Sequence, residues 1–173
     1  SFTFNLCIGF SVASTVLIGR KLGERDYVGL KKVGINNLKI VFIFMFMCGL
    51  IFIFGRNILP TFFTKPEDVD VIQLAAKLMI IAALFQLSDG IQVVALGSLR
   101  GIQDVKIPSI ITFIAYWPIG FGLGAVLGLT DWLVTPMGAH GFWIGIIAGL
   151  SVAALMLAII LKRTLHKLEH KAA

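Results

Sequence analysis

Charge is the scarce component of this sequence. Charged residues make up 14% of its 173 residues, whereas a soluble globular domain carries about 25%. There are too few ions to cover a water-facing surface, and too few to keep a chain disordered. Cysteine is nearly missing as well. Cys7 and Cys48 both sit inside apolar runs, so no disulfide framework or cysteine-based metal site can be built from them. The sequence also lacks a G-x-S-x-G elbow, a Walker loop and an H-E-x-x-H pair. Those gaps exclude a disulfide-stapled secreted module, most soluble enzymes and an ATP-driven pump.

What is present is apolar. Hydrophobic residues reach 58%, and mean hydropathy is +0.95. Lipid is the solvent that takes such an excess. A bilayer core about 30 Å thick needs about 20 helical residues to cross it. Five stretches meet or approach that length: 1–18, 38–59, 71–99, 107–130 and 142–161. They are apolar all round and do not alternate in segments of about ten, as barrel strands would. The expected fold is all-α, a polytopic membrane bundle of five transmembrane helices over 1–162, followed by a cytoplasmic tail at 163–173. The sequence opens at Ser1 inside an apolar run with no basic leader, which reads as part of a longer membrane protein rather than a signal peptide.

Lysine and arginine placement orients the bundle. The loop after the first span holds Arg20, Lys21, Arg25, Lys31, Lys32 and Lys39, and the third loop holds Arg100 and Lys106. The tail adds Lys162, Arg163, Lys167 and Lys171, so twelve basic residues collect on one side. The other side has two, Arg56 and Lys65, beside Glu67, Asp68 and Asp70. The positive-inside rule then makes the C-terminus cytoplasmic. The net charge of +6 is explained by anionic headgroups, without nucleic acid. The stretch from Arg20 to Lys39 is expected to include a helix lying along that leaflet. Lys77, near one end of the third span, can snorkel to the headgroups.

Asp89 lies in the middle third of the third span, where a carboxylate costs about 2.5–3.5 kcal/mol. Gln86, Ser88 and Gln92 flank it, and Gln86, Asp89 and Gln92 fall within an arc of about 120° on a helix. Such a stripe faces either a neighbouring helix, as a polar contact, or a water-filled cavity. In the second case Asp89 is a candidate site for a proton or for Na⁺. Pro118 should kink the fourth span or free a carbonyl. Tyr116 and Trp117 are too deep for an interfacial belt and read as lining a path for flat, hydrophobic substrates.

Glycine repeats every four residues. Gly120, Gly124 and Gly128 form one ridge, and Gly141, Gly145 and Gly149 with Ala153 form another. Small residues at that spacing let two helices approach closely, so their role is packing. Gly120, Gly122 and Ala125 also match a relaxed dinucleotide-binding pattern, but no strand precedes them. His166 and His170 are spaced as helical metal ligands can be, yet a solvated basic helix end suits them better. His140 stands alone in a loop.

Four segments carry a family resemblance in order: AST…IGRKLGERD (Ala13 to Asp26), FQLSDGIQVVALGSLRGIQDVKIP (Phe85 to Pro108), AYWPIG (Ala115 to Gly120) and GFWIGIIAGL (Gly141 to Leu150). Together the sequence resembles the C-terminal lobe of the multidrug and toxic compound extrusion (MATE) family of antiporters. The LRG-x-x-D-x-x-x-P stretch after an intramembrane Asp is the most specific part. The resemblance implies that the spans correspond to the eighth to twelfth helices of a twelve-helix transporter. It implies two six-helix lobes that rock about a cleft, expelling drugs or organic cations as Na⁺ or H⁺ enters. Asp89 matches the family's tenth-helix carboxylate for the coupling ion or cation. No cofactor beyond that ion is implied, and the setting is a bacterial inner or plasma membrane. The family often has proline at the position of Gly122, so the local shape of this helix is expected to differ. The N-terminal lobe and the seventh helix, with a partner acidic residue, have no counterpart in these spans, so this piece alone should not transport.

Three rival readings remain at this point. A lipid-linked oligosaccharide flippase of related architecture would want inward arginines, and the spans hold only Lys77. A non-transporting structural subunit would leave Asp89 dispensable. A membrane-embedded enzyme would need an in-span histidine or lysine partner for Asp89, and none is at its depth.

Overall fold

The computed structural model describes residues 2–62, 69–130 and 138–170. Lys65, Glu67, Asp68 and Lys171 of the charged residues named above lie outside the described residues, as do Ser1 and 131–137 of the fourth loop. Every regular element among the described residues is helical: α1 (Phe2–Gly23), α2 (Tyr27–Gly55), α3 (Val69–Gly101), α4 (Lys106–Ile114), α5 (Gly122–Leu129) and α6 (Ala139–His170). A 3₁₀ turn (Leu59–Phe62) follows α2, and a π-helical segment (Ala115–Phe121) joins α4 to α5 in one span. Five helices are thus long and apolar enough to cross a membrane.

Large apolar side chains such as Phe46, Ile51, Phe54, Ile110, Phe113 and Leu155 point outward and stay exposed. A soluble monomer rarely shows so continuous an apolar surface, whereas lipid accepts it.

The basic stretch after the first span is not a separate helix lying on the membrane surface. α1 runs on to Gly23, three residues turn the chain, and α2 starts at Tyr27 and continues unbroken to Gly55. Arg25 makes the turn with φ 57°. Asp26 caps the new helix, its Oδ1 accepting from the Gly29 N–H at 2.8 Å. Twenty-nine residues give about 43 Å of helix, more than the hydrocarbon core, so the basic turns of α2 project beyond it. At the other terminus α6 likewise continues through Lys162, Arg163 and Lys167 to His170. Lys31 Nζ of α2 meets Glu169 Oε2 of α6 at 2.5 Å, tying these two basic ends together.

α3 is the central helix, packed against α1, α2 and α6. Its contact with α1 is close and polar. Ser11 Oγ donates to Val93 O at 2.8 Å, Thr15 Oγ1 lies 2.8 Å from Gly97 O, and a Cβ on Gly97 would meet Ser11 O at 2.5 Å. Asn37 of α2 donates to Ser14 Oγ at 2.9 Å. Near the basic end, Ile18, Leu30, Ala95, Leu99, Leu157, Leu161 and Leu165 form the main apolar core. Cys7, Val41, Met45 and Val94 form a second, with Cys7 buried and Cys48 half-buried as free thiols.

Candidate functional site: a carboxylate facing a cavity in the bundle

Pro118 shapes the wall opposite Asp89. Proline has no N–H to donate, and its ring collides with the carbonyl four residues back. Here the chain widens instead of breaking: the Gly122 N–H reaches Trp117 O, five residues back. The result is the seven-residue π segment Ala115–Phe121. Gly122 has nothing closer than Trp117 O at 3.9 Å beside it, so its outer side is open.

The glycine ridges hold that segment and α5 against α6. A Cβ on Gly145 would stand 2.5 Å from Gly120 O, and one on Gly149 2.6 Å from Ala115 O. One on Gly141 would stand 2.5 Å from Gly128 N, and Gly124 and Gly128 lie against Phe142. All six glycines therefore lie where a neighbouring backbone or the Phe142 ring comes close.

Where the three elements meet, a cavity of about 240 Å³ opens between α3, the π segment and α6. Phe85 and Asp89, Tyr116 and Gly120, and Ile146 and Leu150 line it in pairs from the three elements. Asp89 is half-buried and makes no hydrogen bond or ion pair among the described residues. Among the described residues no lysine, arginine or histidine lines its cavity.

The expected polar stripe divides among three directions. Gln92, 4% exposed, donates from Nε2 to the Tyr116 hydroxyl. Gln86, 8% exposed, accepts from Thr3 Oγ1 of α1 at 3.4 Å, a long bond. Ser88 turns the other way and meets Ser151 Oγ of α6 at 3.1 Å. Asp89, Gln92 and Tyr116 therefore come together, while Gln86 belongs to the α1 contact. Trp117 does not join them. It is 63% exposed, with its ring centroid 6.3 Å from that of Phe113 and 6.1 Å from that of Phe121 on the outer face.

Two buried side-chain atoms on the stripe, Gln86 Nε2 and Gln92 Oε1, have no partner among the described residues. An unpaired buried polar atom costs about 1–3 kcal/mol, and these two lie in different directions, Gln86 toward α1 and Gln92 toward the π segment. The donor set around Asp89 is a carboxylate, a phenol and an amide, which suits a hard cation or a proton. Among the described residues no group of three or more His, Cys, Asp or Glu could hold a metal ion, and Asp89 is the one carboxylate among those lining the cavity. The His166 and His170 rings lie 4.5 Å apart, tilted by 43°, at the end of α6, far along the helix from this cavity.

Comparisons with known proteins bear on the same residues. The MatE family model matches residues 1–126, which takes in Asp89, Gln92 and Tyr116. The multidrug resistance protein NorM of Photobacterium profundum is 45% identical over 162 residues, covering 94% of this chain and 35% of that protein. The multidrug resistance protein MdtK of Proteus mirabilis is 38% identical over 156 residues, covering 90% and 33%. The chain thus spans about a third of the length of the curated relatives it matches. Among solved structures, the eukaryotic MATE transporter AtDTX14 superposes with a TM-score of 0.81 over 99% of this chain and 38% of that one, at 19% identity. An inward-facing multidrug resistance MATE transporter of the MOP superfamily gives 0.78 over 99% and 39%, at 21% identity. Those two likenesses show the fold.

Proposed function

Because this chain belongs to the MatE family, we propose that it is part of a secondary active transporter that exports drugs or organic cations in exchange for Na⁺ or H⁺. The relatives named as multidrug resistance proteins support the export of drugs. The protein would then be integral to a bacterial inner membrane, with the basic ends of α2 and α6 cytoplasmic. The remaining two-thirds of a relative's length would supply the facing lobe.

The observation that carries the coupling role is the Asp89 cavity. Its carboxylate has no cationic side chain to neutralise it among the described residues, which supports a proton or sodium ion as the counter-charge. The Tyr116 hydroxyl lines the same space and is already bonded to Gln92. Occupancy at Asp89 would change the charge against the π segment, whose backbone rests on Gly145 and Gly149 of α6. A ligand shifts a conformational balance only by its differential affinity for the two states, and an ion that neutralises a half-buried carboxylate supplies such a difference.

Asp89→Asn in the full-length protein tests this reading. Drug accumulation is followed in cells with an imposed Na⁺ or H⁺ gradient, and gradient-driven efflux is expected to be lost while the protein remains in the membrane. Undiminished coupled efflux would remove Asp89 from the mechanism.

A further inference from the structure

A second, larger cavity lies on the other side of α3. It is a groove of about 690 Å³ between α2, α3 and α6. Phe42 and Ile43, Leu87 and Ile91, and Ala154 and Ala158 supply its apolar walls. Two features break that surface. The Ser88–Ser151 hydroxyl pair closes one end, and Lys39 and Lys162 stand at the other.

The two lysines are level with each other. α2 and α6 run antiparallel, with Lys31 joined to Glu169 and Leu165 packed on Gly34. Continued along the helices, that register sets Lys39 beside about residue 160, within one turn of Lys162. Both ammonium groups are exposed, and neither makes an ion pair among the described residues.

Eleven residues of α6 separate Ser151 from Lys162, which is about 16 Å of helix. Half of a bilayer core about 30 Å thick is about 15 Å. Between the serines and the lysines the groove therefore has the length of one leaflet, with Ile35 and Leu165 lining it about one turn beyond the lysines. Its serine end falls near the midplane, and its lysine end falls at headgroup level on the basic side of the bundle.

We propose that this groove holds an anionic phospholipid, with its phosphate between Lys39 and Lys162 and an acyl chain along α2, α3 and α6. The length fits an acyl chain that ends at the midplane. The charge fits a headgroup carrying net negative charge over a zwitterionic one. Occupied in this way, the groove would make bilayer lipid part of the support of α3 on the face opposite Asp89.

The test uses the full-length protein in detergent, titrated with phosphatidylglycerol or phosphatidylcholine and read by native mass spectrometry. Phosphatidylglycerol is expected to be retained preferentially. Lys39→Gln with Lys162→Gln should weaken its apparent affinity about 30-fold, at about fivefold per lysine, and bring it to the phosphatidylcholine level. Ala158→Trp keeps both lysines but fills the groove, and should reduce retention of both lipids. Thermal unfolding in lipid-free detergent shows whether each variant is folded. Folded variants that retain phosphatidylglycerol as the parent does would overturn the proposal.

Discussion

Gly145→Ala is the most direct test of how α6 is held. The added methyl would stand 2.5 Å from Gly120 O, where ordinary contact begins at about 3.4 Å. The atoms it meets are backbone of the π segment and α5, which cannot rotate aside, so α6 must retreat by about 1 Å. Overpacking of this kind costs about 1–3 kcal/mol. Alanine recovers up to about 1 kcal/mol over glycine within a helix, so the net expectation is destabilisation by about 0–3 kcal/mol, and by about 1–3 kcal/mol relative to a helical glycine whose added methyl meets nothing. Gly122→Ala supplies the opposite sign in the same seam. Its methyl would meet nothing nearer than Trp117 O at 3.9 Å, so the alanine should be neutral or stabilising by up to about 1 kcal/mol. Thermal unfolding of both full-length variants in detergent, followed by fluorescence, reads the difference. A Gly145→Ala protein as stable as Gly122→Ala would refute the close backbone approach and the account of the seam built on it.

Two other perturbations separate local contacts from this packing. Tyr116→Phe removes the hydroxyl that Gln92 donates to and leaves a nearly buried amide with neither end paired. A loss of about 1–3 kcal/mol is expected in chemical unfolding of the full-length protein, and no loss would mean that the pair forms only weakly. At the first turn, the Lys21 ammonium and then the Gly29 N–H hold the Asp26 carboxyl below its usual value. A depressed folded value stabilises above the unfolded value and is lost as pH falls through the folded one, so protection of the Gly29 and Leu30 amides against hydrogen exchange should decline in acid. Asp26→Asn, which keeps a capping oxygen without the charge, should flatten that decline, and an unchanged acid response would reject Asp26 as its source.

The membrane spans were legible because twenty apolar residues leave little else for a helix to do. Their ends were not. Hydropathy falls at Lys39 and Lys162, but a helix continues wherever its backbone bonds continue, and Lys31 is secured by Glu169 from the far end of the chain. No local signal carries that pair. The start of α2 was more accessible, since an aspartate three residues before Gly29 is an ordinary cap. The glycine ridges were legible as ridges, because a four-residue repeat falls on one helix face whatever the partner. Asp89 stood out because charge is rare, and Ser151 carries the same signal more faintly, as a polar residue midway along an apolar helix.

The aromatic pair shows where sequence and structure part company for a physical reason. Tyr116 and Trp117 are adjacent, and neighbours on a helix point about 100° apart, so only one of them can face a narrow cavity. Side-chain chemistry favours the tyrosine there, whose hydroxyl can satisfy Gln92, and the tryptophan outside, where its ring joins Phe113 and Phe121. Pro118 then makes that choice compatible with close packing. By widening the turn it lets Tyr116 reach α3 while Ala115 and Gly120 stay in backbone contact with Gly149 of α6. The proline, the tyrosine and the glycine ridge act as one device, which is why Gly120 both packs the seam and walls the cavity of Asp89. A change at any one of the three therefore reaches the carboxylate through the others.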